Sequence, residues 1–168
     1  SNLVEDQKML NRIAKWCERY SPWTREEDKN SKDPSLEETG GAGLWLDITG
    51  CAHLYGGEEN MLIDMVKRIE KSGFKAHAAI ADTLGCAWAI ARFSMKQSPW
   101  RIVPPGKSRQ AIAPLTIAAL RLPPTTVLSL HETGLRHIKD LMNIPRGPLT
   151  ARYDENILFR LDTALGER

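Results

Sequence analysis

The sequence predicts an α+β fold, in which a small mixed sheet with packed helices is followed by a separate all-helical unit. Between residues 44 and 103, strand-like and helix-like runs alternate along the chain, which is typical of helices packed on a sheet. After residue 107 the chain shows only short helical pieces, divided by Gly134 and several prolines. We place the boundary in the polar stretch "PPGKSRQ", so that the two units span residues 1–106 and 107–168.

Hydrophobic spacing and helix breakers predict the individual elements. A first helix over residues 4–19 ends at Tyr20-Ser21-Pro22, because proline cannot continue a helix. A second amphipathic helix ends at Gly73, and Asp82 or Thr83 can cap a third, "LGCAWAIARFSMK". The predicted strands cover residues 44–49, 74–80 and 100–103. The prolines that divide the helical unit are Pro114, Pro123, Pro124, Pro145 and Pro148.

Residues 24–42 are predicted to form a mobile surface loop, since this stretch is charged, carries a proline and has almost no apolar side chains. Its acidic residues could suggest a metal site, but nothing around them indicates the rigidity that an ion site needs. We interpret them as solvated loop carboxylates. They are Glu26, Glu27, Asp28, Asp33, Glu37 and Glu38.

Composition argues against several classes of protein. No apolar run reaches the roughly 20 residues of a membrane helix, so no membrane association is expected. The three cysteines lack CxxC spacing, which disfavours a disulfide framework or a zinc ribbon and suggests a reducing cytoplasm. Cys51 and His53 are two residues apart, but no second pair completes a zinc site, so no metal is expected. Neither a GxSxG nucleophile motif nor a phosphate-binding loop occurs in the sequence.

Charge is distributed unevenly, although the net charge is only +2. No acidic residue lies between Asp82 and Glu132. A stretch whose charged side chains are all positive fits a polyanion such as DNA. The alternative is a solvated face over an Ala-rich core. The cations of this interval are Arg92, Lys96, Arg101, Lys107, Arg109 and Arg121.

The stretch "GGAGLWLDITG", residues 40–50, places Asp47 at the end of an apolar strand. A carboxylate in this position could serve as a metal ligand or a general base, or it could cap the strand end. The residue types alone leave these roles open.

The helical unit contains "AALRLPPTTVLSLHETGLRHIKDLMNIP" (118–145), which resembles a helix-hairpin-helix module. Such modules hold DNA phosphates with backbone N–H groups at a hairpin and at a helix N-terminus. A plain helical bundle is the alternative. If DNA is bound, the candidate contact residues are Arg101, Lys107, Arg109, Arg121, Thr125, Thr126 and Arg136.

Taken in order, several stretches resemble the Y-family translesion DNA polymerases. They are "RYSPWT" (19–24), "LWLDITG" (44–50), "AIADTLGCAWAIAR" (79–92) and "LHETGLRHIKDLMNIP" (130–145). Four stretches together are similar to the ImuB-type branch in particular: "LWLDITGCAHLYGGE", "IADTLGCAWAIAR", "ALRLPP" and "GLRHIKDLMNIPR". The resemblance implies a partial polymerase palm over residues 1–106 and a helix-hairpin-helix-like thumb over residues 107–168.

The sequence departs from the pattern of active family members at the catalytic positions. Those members carry an adjacent Asp-Glu pair just before the aromatic-Leu-Asp of this strand, where the carboxylates help to hold magnesium ions. Ala42 and Gly43 stand at the matching positions, and Leu84 matches a lysine that reaches the incoming triphosphate. The resemblance therefore implies a pseudo-polymerase without cofactor or catalytic residues. Asp47 matches the strand-end Asp outside the pair, so we expect it to be structural.

The ImuB-type resemblance implies a non-catalytic adaptor or hub in DNA-damage-induced error-prone translesion synthesis, in the bacterial cytoplasm near the nucleoid. The implied partners are damaged or primer-template DNA, a C-family error-prone polymerase, a RecA-like accessory protein and, through regions outside this chain, the sliding clamp. Two alternatives remain. One is a fragment of an active polymerase in which Glu37 or Glu38 replaces the lost pair, and the other is a helix-hairpin-helix DNA-binding module without polymerase ancestry.

Overall fold

The computed structural model describes residues 3–27, 42–94 and 97–167 and confirms the α+β class. The chain divides into two compact units, whose described parts are residues 3–27 with 42–76 and residues 77–94 with 97–167. Among the described helices, none combines the length and apolar character needed to cross a membrane.

The described part of the first unit contains two α-helices, a 3₁₀ helix and a two-stranded sheet. Leu10 and Cys17, on the predicted apolar face of the first helix, are buried. In chain order the elements are α1 (Leu3–Cys17), β1 (Thr24–Glu26), β2 (Leu44–Leu46), a 3₁₀ helix (Ala52–Tyr55) and α2 (Glu58–Lys71).

Helix α2 confirms the second predicted helix, and local sequence features explain where it begins and ends. Its first turn carries Glu58 and Glu59 and its last turn Arg68 and Lys71, which complements the helix dipole. Gly73, with φ +90°, follows the helix end in a conformation that favours glycine. The apolar spacing places Met61, Leu62, Met65 and Val66 in the interior.

The prediction of a mobile loop is wrong over residues 24–26. These residues form β1, which pairs antiparallel with β2 so that Arg25 lies opposite Trp45. A charged segment can form this strand because pairing with β2 provides hydrogen-bond partners for its backbone groups. The Glu26 carboxylate in addition accepts a 2.7 Å hydrogen bond from Gln7 Nε2. Glu27 is buried rather than solvated. The rest of the predicted loop, with Asp28, Asp33, Glu37 and Glu38, lies outside the described residues except for Ala42.

The second unit begins with a strand–helix–strand crossover and continues as helices. Thr83 caps α3, because its Oγ1 accepts a 3.1 Å hydrogen bond from Cys86 N–H. The elements are β3 (Ala78–Ile80), α3 (Leu84–Phe93), β4 (Trp100–Ile102), α4 (Ser108–Ile112), a second 3₁₀ helix (Ile117–Leu120), α5 (Pro124–Glu132), α6 (Ile138–Met142), α7 (Arg146–Arg152) and α8 (Asn156–Leu165).

The three predicted strands do not share one sheet, and this part of the prediction is wrong. β2 pairs with β1, whereas β3 and β4 form a separate parallel pair joined by α3. The strands are also shorter than predicted, because their regular pairing covers three residues each. Pro148 does not divide two helices but lies within α7, where a first-turn proline removes an N–H that has no helical partner.

A single hydrophobic core extends through the second unit. It joins Ile90 of α3 to Ile117, Leu130 and Leu161 of the later helices. The described part of this compact unit therefore begins at His77, thirty residues before the boundary that we predicted at residues 106 and 107. The assignment of palm and thumb subdomains stays a prediction.

Candidate functional site

Ala42 and Gly43 lie immediately before β2, at the positions of the expected carboxylate pair. The Gly43 carbonyl accepts a 2.9 Å hydrogen bond from Glu27 N–H, which continues the β1–β2 pairing by one residue. Ala42 is exposed and Gly43 is half-buried. A methyl group and a hydrogen atom supply no oxygen ligand, so these two side chains cannot bind a magnesium ion.

Asp47 has the structural role expected at the end of the strand. Its Oδ1 accepts hydrogen bonds from Thr49 N–H at 3.0 Å and from Thr49 Oγ1 at 2.6 Å. These bonds from Thr49 lower the pKa of the exposed carboxyl group. Ser21 Oγ also donates to the Asp47 carbonyl, which ties the strand end to the segment before β1. The carboxylate thus closes a local turn.

Leu84, at the position of the expected triphosphate-contacting lysine, is the first residue of α3. This residue is 66% exposed. The adjacent Thr83 donates a 2.8 Å hydrogen bond to the carbonyl of Ala164, so the start of α3 is fixed against the end of α8. A hydrocarbon side chain here offers no charge to a triphosphate.

The DNA-contact candidates near β4 and α4 have different surroundings. Arg101 is exposed and donates to Ser94 Oγ. Lys107 is exposed at the start of α4, and Arg109 on α4 forms a 2.6 Å ion pair with Glu167. Part of the cationic interval is therefore neutralised by an acid that lies outside it in sequence. Lys96 lies outside the described residues.

Arg121 and Arg92, two other cations of the interval, lie against the ring of Trp88. Their guanidinium carbons are 5.2 and 5.1 Å from the ring centroid, within cation–π range. Trp88 itself is buried. The interval is thus neither a uniformly solvated face nor a continuous row of outward-directed cations.

The predicted hairpin module forms α5 and α6, joined by residues 133–137. Thr125 and Thr126 lie in the first turn of α5, after Pro123 and Pro124, which donate no N–H. In the turn before α6, the N–H groups of Arg136 and His137 donate to Asp140 Oδ2 at 3.0 and 2.9 Å. Those two N–H groups already have a carboxylate partner within the chain.

An ion-pair network at the end of α8 was missed by sequence reasoning. Arg146 Nη1 and Nη2 donate to the Asp162 carboxylate at 2.8 and 2.7 Å, and Nη2 lies 3.4 Å from Glu167 Oε2. Glu167 Oε1 contacts Arg109, so four charged side chains are connected. No sequence signal could have revealed the network, because its members are separated by 5 to 58 residues without a periodic pattern.

No group of three or more His, Cys, Asp or Glu side chains in the described ranges could hold a metal ion. Cys51 lies just before the first 3₁₀ helix, and His53 lies within it. The Cys51 thiol is 3.6 Å from the Thr49 carbonyl. The pair is not on a strand, so the two side chains lack the same-face relation that a strand would impose.

Comparison with known proteins gives two similar curated relatives. They are Protein ImuB of Caulobacter vibrioides strain NA1000 / CB15N and Protein ImuB of strain ATCC 19089 / CIP 103742 / CB 15. Each is 41% identical to this chain over 161 residues, which is 96% of the chain. The resemblance to ImuB is confirmed. The ImuB-like chain spans 32% of the length of either relative. No protein-family model matches it, and no solved structure matches it.

Proposed function

We propose that this ImuB-like chain belongs to a non-catalytic polymerase-like subunit that acts as an adaptor in error-prone DNA synthesis past damage. The observation that carries the proposal is the Ala42-Gly43 pair directly before β2. Two-metal phosphoryl transfer needs carboxylate oxygens at fixed positions, and these side chains have none. The nearby Asp47 carboxylate is engaged by Thr49.

The surroundings of α3 support the same proposal. Leu84 presents an exposed hydrocarbon where a lysine would neutralise the triphosphate. Loss of both the metal ligands and this cation would remove the two main sources of transition-state stabilisation in phosphoryl transfer. The subunit would then contribute by binding, in the cytoplasm close to the nucleoid.

We further propose weak contact with damaged or primer-template DNA through the second unit. The candidate residues remain Arg101, Lys107, Arg109, Arg121, Thr125, Thr126 and Arg136. Lys107, Thr125 and Arg136 are exposed. The proposed protein partners are a C-family error-prone polymerase, a RecA-like accessory protein and the sliding clamp, the last through regions outside this chain.

A primer-extension assay tests the absence of catalysis. It uses the full-length protein that carries this segment, with magnesium, an undamaged and a damaged template, and an active Y-family polymerase as positive control. We expect no extension above background. Magnesium-dependent incorporation that follows the protein through purification would contradict the proposal and favour an active polymerase.

The double substitution Ala42→Asp and Gly43→Glu gives a matched variant for the same assay. It restores two oxygen ligands before β2, and magnesium affinity should appear only if the rest of the site supports them. Isothermal titration with magnesium compares the variant with the wild type. Stoichiometric magnesium binding by the wild type would contradict the proposal that this position lacks metal ligands, if substitution of Glu26 or Glu27 abolished that binding.

A DNA-binding role without polymerase ancestry is the second candidate, favoured by the acid-free interval between Asp82 and Glu132. Binding through phosphates should weaken steeply as ionic strength rises. A titration of this chain with primer-template DNA at increasing salt measures that slope. Absence of binding even at low salt would favour a surface for protein partners.

A further inference from the structure

Two arginines converge on one carboxylate at the end of α8. Arg109 Nη2 lies 2.6 Å from Glu167 Oε1, and Arg146 Nη2 lies 3.4 Å from Glu167 Oε2. Each oxygen of the carboxylate thus faces a different guanidinium group. Arg109 comes from α4 and Arg146 from the start of α7, so the packing of the second unit brings together cations that are 37 residues apart in sequence.

Both arginine side chains are partly exposed to solvent. The side chains of Arg109 and Arg146 are 54% and 59% exposed, and that of Glu167 is 38% exposed. Asp162 is largely buried, with 12% side-chain exposure, and holds Arg146 by two hydrogen bonds. Arg146 is therefore oriented by a buried partner while much of its side chain faces solvent.

This arrangement has the chemistry of an oxyanion site. Guanidinium groups bind carboxylates and phosphates through the same N–H donors, and two of them facing one anion suit a phosphate oxygen pair. Arg109 also lies in the interval without acidic residues, and the Glu167 carboxylate that pairs with it lies outside that interval in sequence. Glu167 occupies the position that a phosphate would take.

Glu167 can leave this position without unfolding of the helix end. Its backbone N–H donates a 2.9 Å hydrogen bond to the Asp162 carbonyl, beyond Gly166 in the left-handed conformation with φ +73°. That bond anchors the backbone, so only the side-chain rotamer has to change. Rotation of an exposed Glu side chain is fast and has a small energetic cost.

We propose that Arg109 and Arg146 form a phosphate-binding site, that its ligand is a DNA backbone phosphate, and that Glu167 competes with that phosphate from within the chain. The site concerns DNA contact only, so it refines the DNA-binding part of the proposed function and is independent of whether the subunit is catalytic.

The test compares Glu167→Gln with the wild-type 168-residue chain by fluorescence anisotropy of a labelled primer-template duplex. Glu167→Gln keeps the side-chain shape and removes the competing charge. We expect about fivefold tighter binding at roughly 50 mM salt, since exposed ion pairs are worth little more than this. The slope of log affinity against log salt concentration should become steeper by about one to two, because one or two further cation–phosphate contacts form.

Glu155→Gln is the matched control, because it removes the same charge at the opposite end of α8. It should change affinity by less than about twofold, which measures the general effect of net charge. The double variant Glu167→Gln with Arg109→Gln should bind DNA no better than the wild type. Equal gains from Glu167→Gln and Glu155→Gln would overturn the proposal, as would a gain that survives loss of Arg109.

A second arm separates the DNA backbone from free phosphate. Arginine side-chain N–H signals of Glu167→Gln are followed by NMR during titration with inorganic phosphate. Shifts confined to Arg109 and Arg146, together with tighter duplex binding, support the proposal. If phosphate shifts the Arg109 and Arg146 signals but Glu167→Gln binds the duplex no more tightly than Glu155→Gln, the DNA assignment is overturned. The site would then bind free phosphate. A lack of both responses would overturn the site itself. Primer-extension activity, or its absence, changes none of these outcomes.

Discussion

Arg121 combines a strained backbone with a buried contact surface. It is the one non-glycine residue with positive φ, +60°, in the part of the chain that the structure describes. Its guanidinium group lies over the Trp88 ring. DNA binding would instead need this cation to face solvent. A phosphate contact by Arg121 would have to compete with this interaction, so we rank it below Lys107 among the proposed DNA contacts.

Substitution of Arg121 separates the backbone cost from the ring contact. Arg121→Gly and Arg121→Ala both remove the guanidinium group, but only glycine adopts the left-handed region without a steric cost of about 1–2 kcal/mol. We therefore expect the glycine variant to be more stable than the alanine variant by about 1 kcal/mol, measured by urea unfolding. Ala118, in the preceding 3₁₀ helix, provides the control, because alanine should be preferred there. Ala118→Gly should therefore be less stable than the wild type. Greater stability of Arg121→Ala would contradict the strained conformation.

Asp47 provides a test of its structural role through its titration. The Thr49 hydroxyl is the main cause of the lowered pKa of Asp47, followed by the Thr49 backbone N–H. A lowered pKa means that the carboxylate stabilises the fold above about pH 4 and that this contribution is lost as the pH falls through the folded-state pKa. Thr49→Val should raise the pKa toward its ordinary value, as measured by carbon-13 NMR.

Asp140 serves as the internal control in that titration. Its pKa is lowered by the backbone N–H groups of His137 and Arg136, which Thr49→Val does not touch. The Asp140 titration should be the same in both proteins. An unchanged pKa of Asp47 in Thr49→Val would exclude the Thr49 hydroxyl as the cause.

At the scale of elements, α3 and α8 pack closely at Gly85. A Cβ atom added at Gly85 would lie 3.0 Å from Ala164 Cα and 3.2 Å from Ala164 Cβ. The Thr83 hydroxyl, two residues earlier, donates to the Ala164 carbonyl, so the contact also satisfies a backbone acceptor near the end of α8. Gly85 therefore permits an approach of the two helices at which an added Cβ atom would require Ala164 to shift.

Gly85→Ala should destabilise the second unit although alanine favours helices. Backbone contact with Ala164 should cost about 1–3 kcal/mol, which exceeds the helix-propensity gain of about 1 kcal/mol. Gly147→Ala in α7 is the matched control, because no atom lies within 4 Å of its added Cβ. We expect Gly147→Ala to be neutral or slightly stabilising in thermal unfolding. A stabilised Gly85→Ala variant would show that the helices can separate without cost.

Local patterning predicted some of these elements well and others poorly. The spacing of Met61, Met65 and Val66 and the position of Gly73 predicted α2, since helical hydrogen bonds and caps are local. β1 was not predicted, because "TRE" has no apolar alternation and becomes a strand only by pairing with β2. Strand pairing is non-local, and a charged edge carries little signal of it.

At the scale of the whole molecule, the core of the second unit joins residues on both sides of the predicted subdomain boundary. Ile90 of α3 and Val103 after β4 belong to the same core as Leu130 of α5 and Ile157 of α8. Residues 77–94 should therefore depend for their stability on helices that follow residue 107. This expectation differs from that of independent palm and thumb subdomains.

Leu130→Ala tests the shared core. Leu130 is fully buried, so the cavity should cost about 2–5 kcal/mol. Native-state hydrogen exchange should then show reduced protection in α3 as well as in α5 to α8. Leu128→Ala, at a position 60% exposed on the same helix, should have little effect. Loss of protection confined to residues after 107 would instead favour independent subdomains.

The sequence by itself determined which atoms are present before β2, which segments can be helices and which family the chain resembles. Ala42 and Gly43 lack carboxylate oxygens in any fold, and the relation to ImuB follows from residue identities. Only the tertiary structure decided that β2 pairs with residues 24–26 and that Arg109 and Arg146 meet at Glu167. The physical reason is distance along the chain: side-chain chemistry and helical periodicity are local, whereas strand pairing and ion pairs depend on how distant segments pack together.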